Sequence, residues 1–127
     1  MSTMYNKGFR SVYKLTAHIV FVVKYRRKVI DSSILTRLGV IFKETLEKWK
    51  CSLLEFNGES DHVHLLIEYK PDICLSNLIA NLKTVSSRLI RKENPDLAEK
   101  FFSGKPHLWT GSYFVASCGV EPLPALK

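Results

Sequence analysis

The order in which hydrophobic periodicity changes along this chain leaves few folds open to it. Apolar residues recur at every second position between Tyr13 and Tyr25. Leu15, Ala17, Ile19, Phe21 and Val23 share one face there, and Thr16, His18, Val20 and Val22 the other. The period then lengthens to that of a helix, ending near Lys50. Ile34, Leu35, Leu38, Ile41, Phe42, Leu46 and Trp49 make one stripe, and Asp31, Ser32 and Ser33 offer N-cap oxygens. Strand-like runs return over Cys51–Phe56 and again from His62 to Glu68, with Asn57-Gly58 between them as a hairpin signal. A second helical stripe holds Leu75, Leu78, Ile79, Leu82, Val85 and Leu89; it runs to about Lys92 and is stopped by Asn94-Pro95. Pro95–Phe102 suits a short third helix, and Ser103-Gly104-Lys105-Pro106 a turn. Leu108–Cys118 reads as a last strand broken at Gly119, and Val120–Lys127 as the opening of another helix with Pro122 in its first turn. The order β-α-β-β-α-β predicts an α+β fold of the split βαβ kind, RRM-like or ferredoxin-like: a four-stranded antiparallel sheet with helices on one face. Its first and third strands would be central.

The third strand carries the chemistry. In Asp61-His62-Val63-His64-Leu65-Leu66-Ile67-Glu68, the two histidines alternate with apolar residues and so point the same way, about 6.5–7 Å apart at the backbone. Two imidazoles at that spacing can hold one divalent ion; they can equally be surface or hydrogen-bonded histidines, and spacing leaves both readings open. Glu68 shares their face. Asp61 is a candidate hydrogen-bond acceptor that could orient a histidine, although strand alternation sends it to the opposite side.

Length and composition bound the rest. The chain has 127 residues, enough for one domain with a real core, and 46% of them are hydrophobic. No apolar run suffices to cross a bilayer and no leader pattern opens the sequence, so the expected setting is the cytoplasm, away from membranes. Cys51, Cys74 and Cys118 lack metal-site spacing and are expected to be reduced, buried or half-buried residues. A net charge of +7 favours an anionic partner, nucleic acid first. The cations cluster. Residues 1–12, with Lys7 and Arg10, read as a mobile basic arm. Lys24, Tyr25, Arg26 and Arg27 place cations around an aromatic ring, a combination that can hold phosphates while stacking a base. On the outer side of the second helix, Lys83, Ser87 and Arg88 lie close together, near Ser76 and Arg91.

Four stretches together resemble a known family: Lys24-Tyr25-Arg26-Arg27, Asp61-His62-Val63-His64-Leu65-Leu66, Leu82-Lys83-Thr84-Val85-Ser86-Ser87-Arg88, and Leu108-Trp109-Thr110-Gly111-Ser112-Tyr113-Phe114-Val115-Ala116-Ser117. They are similar, in order and across nearly the whole chain, to the single-tyrosine transposases of small insertion sequences, the insertion-sequence two-hundred type within the HUH nucleases. The resemblance implies a homodimer that binds single-stranded DNA hairpins at insertion-sequence ends. It also implies cleavage through a 5′-phosphotyrosine, assisted by Mg²⁺ or Mn²⁺ on His62 and His64. In the family the nucleophilic tyrosine lies on a helix after the last strand, in a pattern like Tyr-Ile-x-x-Gln. The counterpart of that position falls just past Lys127, and Tyr5, Tyr13, Tyr25, Tyr69 and Tyr113 do not match it. The expectation is a single transposase domain over 1–127, with that helix missing or incomplete, that binds DNA without cutting it. The alternative is a non-catalytic single-stranded nucleic-acid-binding protein of RRM-like fold, although the Lys/Arg-Gly-Phe-Gly-Phe strand of RRMs is absent. A plain dimerisation protein is a third reading.

Overall fold

The computed structural model describes the backbone of residues 13–122 and the side chains of residues 15–116. The expected basic arm and residues 123–127 lie outside it. Four strands, β1 (Tyr13–Val22), β2 (Ser52–Glu59), β3 (His62–Tyr69) and β4 (Phe114–Pro122), form one antiparallel sheet in the order β2-β3-β1-β4. Helices α1 (Ser32–Lys48) and α2 (Leu75–Glu93) and the short α3 (Leu97–Phe102) complete the expected α+β fold. The two strands expected in the middle are there.

Alternation decides which face the helices cover. Ala17, Ile19, Phe21, Val63, Leu65 and Ile67 are fully buried and meet Leu38, Phe42 and Leu46 of α1 and Leu78 and Leu82 of α2. Burying each large aliphatic or aromatic side chain contributes about 1.5–3 kcal/mol, so this layer holds the fold together. The other face, carrying His18, Val20, His62, His64 and Leu66, has no helix over it among the described residues. Asp31 caps α1 as expected, its carboxylate accepting a 2.8 Å hydrogen bond from the Ile34 amide. In α2 the buried side is rotated from the predicted stripe: Ser86 and Ile90 are fully buried, whereas Leu75, Val85 and Leu89 are half-buried. A polar residue at Ser86 hides that side from a hydrophobic reading. No helix of the described residues is long and apolar enough to cross a membrane. Cys51 is buried and Cys74 exposed, both as free thiols, so the expectation of burial fails at Cys74.

Three boundaries differ from expectation. Asn57-Gly58 is not the hairpin turn: β2 continues to Glu59, and Ser60-Asp61 make the turn. Gly58 is needed for space. A Cβ there would lie 2.7 Å from the His62 carbonyl oxygen and 2.9 Å from Val63 Cγ1. The last strand begins at Phe114, because residues 103–113 form a strap whose backbone pairs with the sheet, among the described residues, only through an isolated Val23–Trp109 bridge. That strand does not break at Gly119. It bulges, two residues (Cys118 and Gly119) standing against the single Thr16 between the Ala17–Ser117 and Leu15–Val120 pairs, and it runs on to Pro122 where a helix was expected. A proline at the end of an edge strand loses no ladder bond that the sheet needs.

A second bulge lies in β2. Leu53 pairs with Ile67 and Glu55 with Leu66, leaving Leu54 as the extra residue. Unbroken alternation would send Phe56 to the bare face. The inserted residue instead puts Phe56 against Phe42, with ring centroids 5.6 Å apart, and gives Glu55 and Asn57 to the face of the histidines.

Candidate DNA and metal site

His62 and His64 stand side by side on the bare face of a central strand. Their ring centroids are 5.1 Å apart and the rings are inclined at 77°. His62 is half-buried and His64 exposed, opposite in sense to the buried Val63 and Leu65 between and beyond them. Rings at this separation can share one ion at metal–nitrogen bonds of about 2.1 Å.

Asp61 belongs to this pair after all. It sits in the turn, outside the strand, so alternation does not govern it. Its Oδ1 is 2.8 Å from His62 Nδ1 and its Oδ2 accepts a 3.2 Å hydrogen bond from Arg26 Nε. The bond to His62, with a smaller share from Arg26, holds the carboxyl below the ordinary aspartate range. An ionised carboxylate only accepts, so Nδ1 of His62 donates this bond, which in a neutral ring leaves the Nε2 lone pair for a cation. Glu68 shares the histidine face as expected but lies four positions beyond His64. No group of three or more His, Cys, Asp or Glu residues able to hold a metal gathers among the described residues. The residues present therefore fit a divalent ion as two nitrogen ligands, with the other positions open to water, phosphate oxygens or groups elsewhere. Nitrogen donors suit Mn²⁺ better than the harder Mg²⁺, which takes oxygen ligands.

The same aspartate ties the histidines to the first cationic stretch. Lys24–Arg26 forms a single tight turn in which Tyr25 and Arg26 both have left-handed backbones, with φ of 59° and 53°. For non-glycine residues this costs on the order of 1–3 kcal/mol each. Fixed bonds hold the turn: the Val23 amide donates to the Asp61 carbonyl, and the Lys24 amide to the Leu108 carbonyl, each at 2.8 Å. The result is an exposed Tyr25 ring with Lys24 Nζ 5.4 Å and the Arg27 guanidinium 5.6 Å from its centroid.

The second cationic stretch lies on α2, where the strap of residues 103–113 is bonded down. Trp109 Nε1 donates to the buried Ser86 hydroxyl at 2.9 Å, and Lys83 Nζ to the Thr110 carbonyl at 2.7 Å. Lys83 is thus a half-buried fastener, and burial lowers its ammonium pKa. Ser87 is also engaged, accepting from Arg91 Nε at 3.2 Å, while Arg88 is exposed. Between helix and strap runs an open groove of about 370 Å³, lined by Lys83, Ser87, Arg88, Arg91, His107 and Thr110 among others.

His107 joins the two stretches and was missed by the sequence reading, since one histidine in a turn carries no periodic signal. Its ring meets Tyr25 edge-on at 6.3 Å and Phe102 at 5.8 Å. Burial first, then the charges of Lys24, Lys105 and Arg91, push its pKa down, so the folded protein favours the neutral ring. Stability from this residue is present above the unfolded histidine pKa of about 6.5 and fades as pH falls through the lower folded value. In an NMR titration, His107 will titrate below free histidine, and Lys24→Ala will raise its midpoint. An unmoved midpoint would separate His107 from the Lys24 turn.

The fold thus presents paired imidazoles on an uncovered sheet face, a cationic turn tied to them through Asp61, and a cationic groove between α2 and the strap. The chain belongs to the transposase family described as "Transposase IS200 like", whose sequence profile matches residues 11–127. It is 30% identical over 109 residues to the ISDra2 transposase TnpA of Deinococcus radiodurans, covering 86% of this chain and 76% of that one. It is 31% identical over 102 residues to the transposase for insertion sequence element IS200 of Salmonella typhimurium, covering 80% of this chain and 66% of that one. A crystal structure from Deinococcus radiodurans R1, described as that of "a putative transposase", superposes with a TM-score of 0.80 at 27% identity, over 91% of this chain and 87% of its own. A REP-associated tyrosine transposase bound to a REP hairpin shares the fold, with a TM-score of 0.61 at 11% identity over 94% of this chain and 63% of its own.

Proposed function

We propose that this chain is the DNA-handling domain of an insertion-sequence transposase. It binds single-stranded hairpin DNA at element ends, as a homodimer in the cytoplasm, and presents a phosphate to Mg²⁺ or Mn²⁺ held by His62 and His64. The observation that carries this is the pair itself: two adjacent imidazoles on an uncovered central strand, one with its tautomer set by Asp61. An ion bound there would polarise a phosphoryl oxygen. Arg26, bonded to the same Asp61, sets the Lys24–Arg27 turn against the pair, so that its cations and Tyr25 can position the strand running past it. Arg88 and Arg91 extend the positive surface along the groove, on the far side of His107. The relative with a bound hairpin supports a hairpin partner. The outer edge of β4, with Phe114 and Val115 exposed, suits a second copy.

The test has two readings. Mn²⁺ will raise the melting temperature, by an amount equivalent to about 2.7 kcal/mol when the ion is at roughly 100 times its dissociation constant. His62→Ala with His64→Ala will abolish that shift. Hairpin DNA will bind with a steep salt dependence, and Arg88→Ala will reduce the slope by about 1 if it contacts one phosphate. Absence of a metal shift together with intact hairpin binding would favour the non-catalytic binder. One observation already points that way: Tyr69 and Tyr113 pack against the core, the latter with Lys83 5.7 Å from its ring centroid, so neither faces the histidines. Tyr69 and Tyr113 are accordingly not expected to form a covalent adduct with hairpin DNA. An adduct surviving a denaturing gel would overturn that part.

A further inference from the structure

Beside His64, away from the cationic turn, the bare face holds a small recess of about 160 Å³ lined by His18, Glu55, Asn57, His64, Leu65 and Leu66. Its layout follows from register. Leu66 lies between Glu55 on β2 and His18 on β1, forming an apolar floor between two polar walls; Asn57 is paired with His64 one row along. The β2 bulge creates the arrangement. Were Leu54 paired in regular alternation, Glu55 and Asn57 would point towards the helices.

The lining excludes two occupants. A metal ion is disfavoured because the recess gathers neither three suitable ligands nor, as at His62 and His64, two adjacent imidazoles among the described residues. A phosphate is disfavoured because Glu55 would face it with a negative charge. What remains suits a flat group with an apolar surface and hydrogen-bonding edges. Glu55 offers acceptors only, whereas the Asn57 amide both donates and accepts.

Resting on the DNA-binding reading above, we propose that this recess takes one unpaired nucleobase of the strand whose phosphate lies at His62 and His64. The base lies on Leu66, and Glu55 and Asn57 read its edge. Guanine fits these acceptors best, because its neighbouring ring N–H and amino group can both donate to one carboxylate. The row holding Glu55 is two residues along β3 from His64, about 6.6 Å, a span on the scale of one nucleotide.

The experiment is an NMR titration of the ¹⁵N-labelled protein with each of the four deoxynucleoside 5′-monophosphates and with deoxyribose 5-phosphate. The guanine nucleotide is expected to move the Asn57 side-chain amide and the His18 ring, and to saturate about tenfold below the others, the equivalent of one good bidentate pair. Glu55→Gln, on an exposed side chain, will erase that preference while leaving the melting temperature unchanged. Equal shifts from all four nucleotides and the base-free sugar phosphate, or shifts confined to His62 and His64, would overturn the inference. Hairpin DNA with a single-stranded flank is titrated alongside. Its failure to bind would sink the transposase reading, whereas binding indifferent to flank composition, with no nucleotide preference, would sink only the recess.

Discussion

Trp109→Ala will destabilise the protein by about 3–5 kcal/mol in urea denaturation, the usual cost of emptying a buried tryptophan site. Three attachments meet at this residue. Its ring lies 5.6 Å from Phe21 in the core, its indole N–H donates to Ser86, and its backbone bridges Val23 at the head of the cationic turn. Trp109→Phe separates the effects. It keeps most of the buried area, and the Ser86 hydroxyl still donates to the Lys83 carbonyl, so only about 0.5–1.5 kcal/mol should be lost. Since Trp109 anchors the strap that carries His107, the alanine variant should also lose hairpin affinity under conditions where it remains folded. A loss below about 1 kcal/mol for the alanine variant would mean that the strap is not part of the cooperative fold.

Gly58→Ala will cost about 1–3 kcal/mol, a large penalty for one methyl group, because the surroundings cannot yield cheaply. The new Cβ would press on the His62 carbonyl oxygen, on Val63 and on Leu35 Cδ1, at 2.7, 2.9 and 3.1 Å. Two of those contacts belong to β3 itself, so relief must come from moving the hairpin end that presents His62. The Mn²⁺-induced melting shift should therefore shrink along with stability. A variant as stable as the parent, with an undiminished metal response, would show that the hairpin end absorbs the methyl group without displacing the pair.

Both variants act where sequence reading was weakest. The stripe of α1, the cap at Asp31 and the alternation of β1 and β3 were legible because each is written in neighbouring residues. The same-face placement of His62 and His64 followed from that alternation alone. Asp61 was misplaced because strand parity was extended one residue into a turn. Gly58 was taken for a turn residue although, among the described glycines, only Gly104 has a positive φ. Lys83 looked like a phosphate contact, yet its ammonium group is fastened to Thr110, a partner 27 residues away. Leu82–Arg88 and Leu108–Ser117 were two separate stretches in the sequence; Ser86–Trp109 and Lys83–Thr110 bond them into one unit.

The sequence by itself determined the element order, the buried face of the sheet and the two imidazoles on the other face, since all three depend on backbone period and hydrophobic burial. Only the tertiary structure decided what surrounds those imidazoles. Asp61 and Arg26 at one end, His107 between the cationic stretches, and Glu55 and Asn57 beside the recess are brought there by a turn, a strap and a bulge. Such features depend on close contacts between residues distant in the chain, and local periodicity carries no record of them.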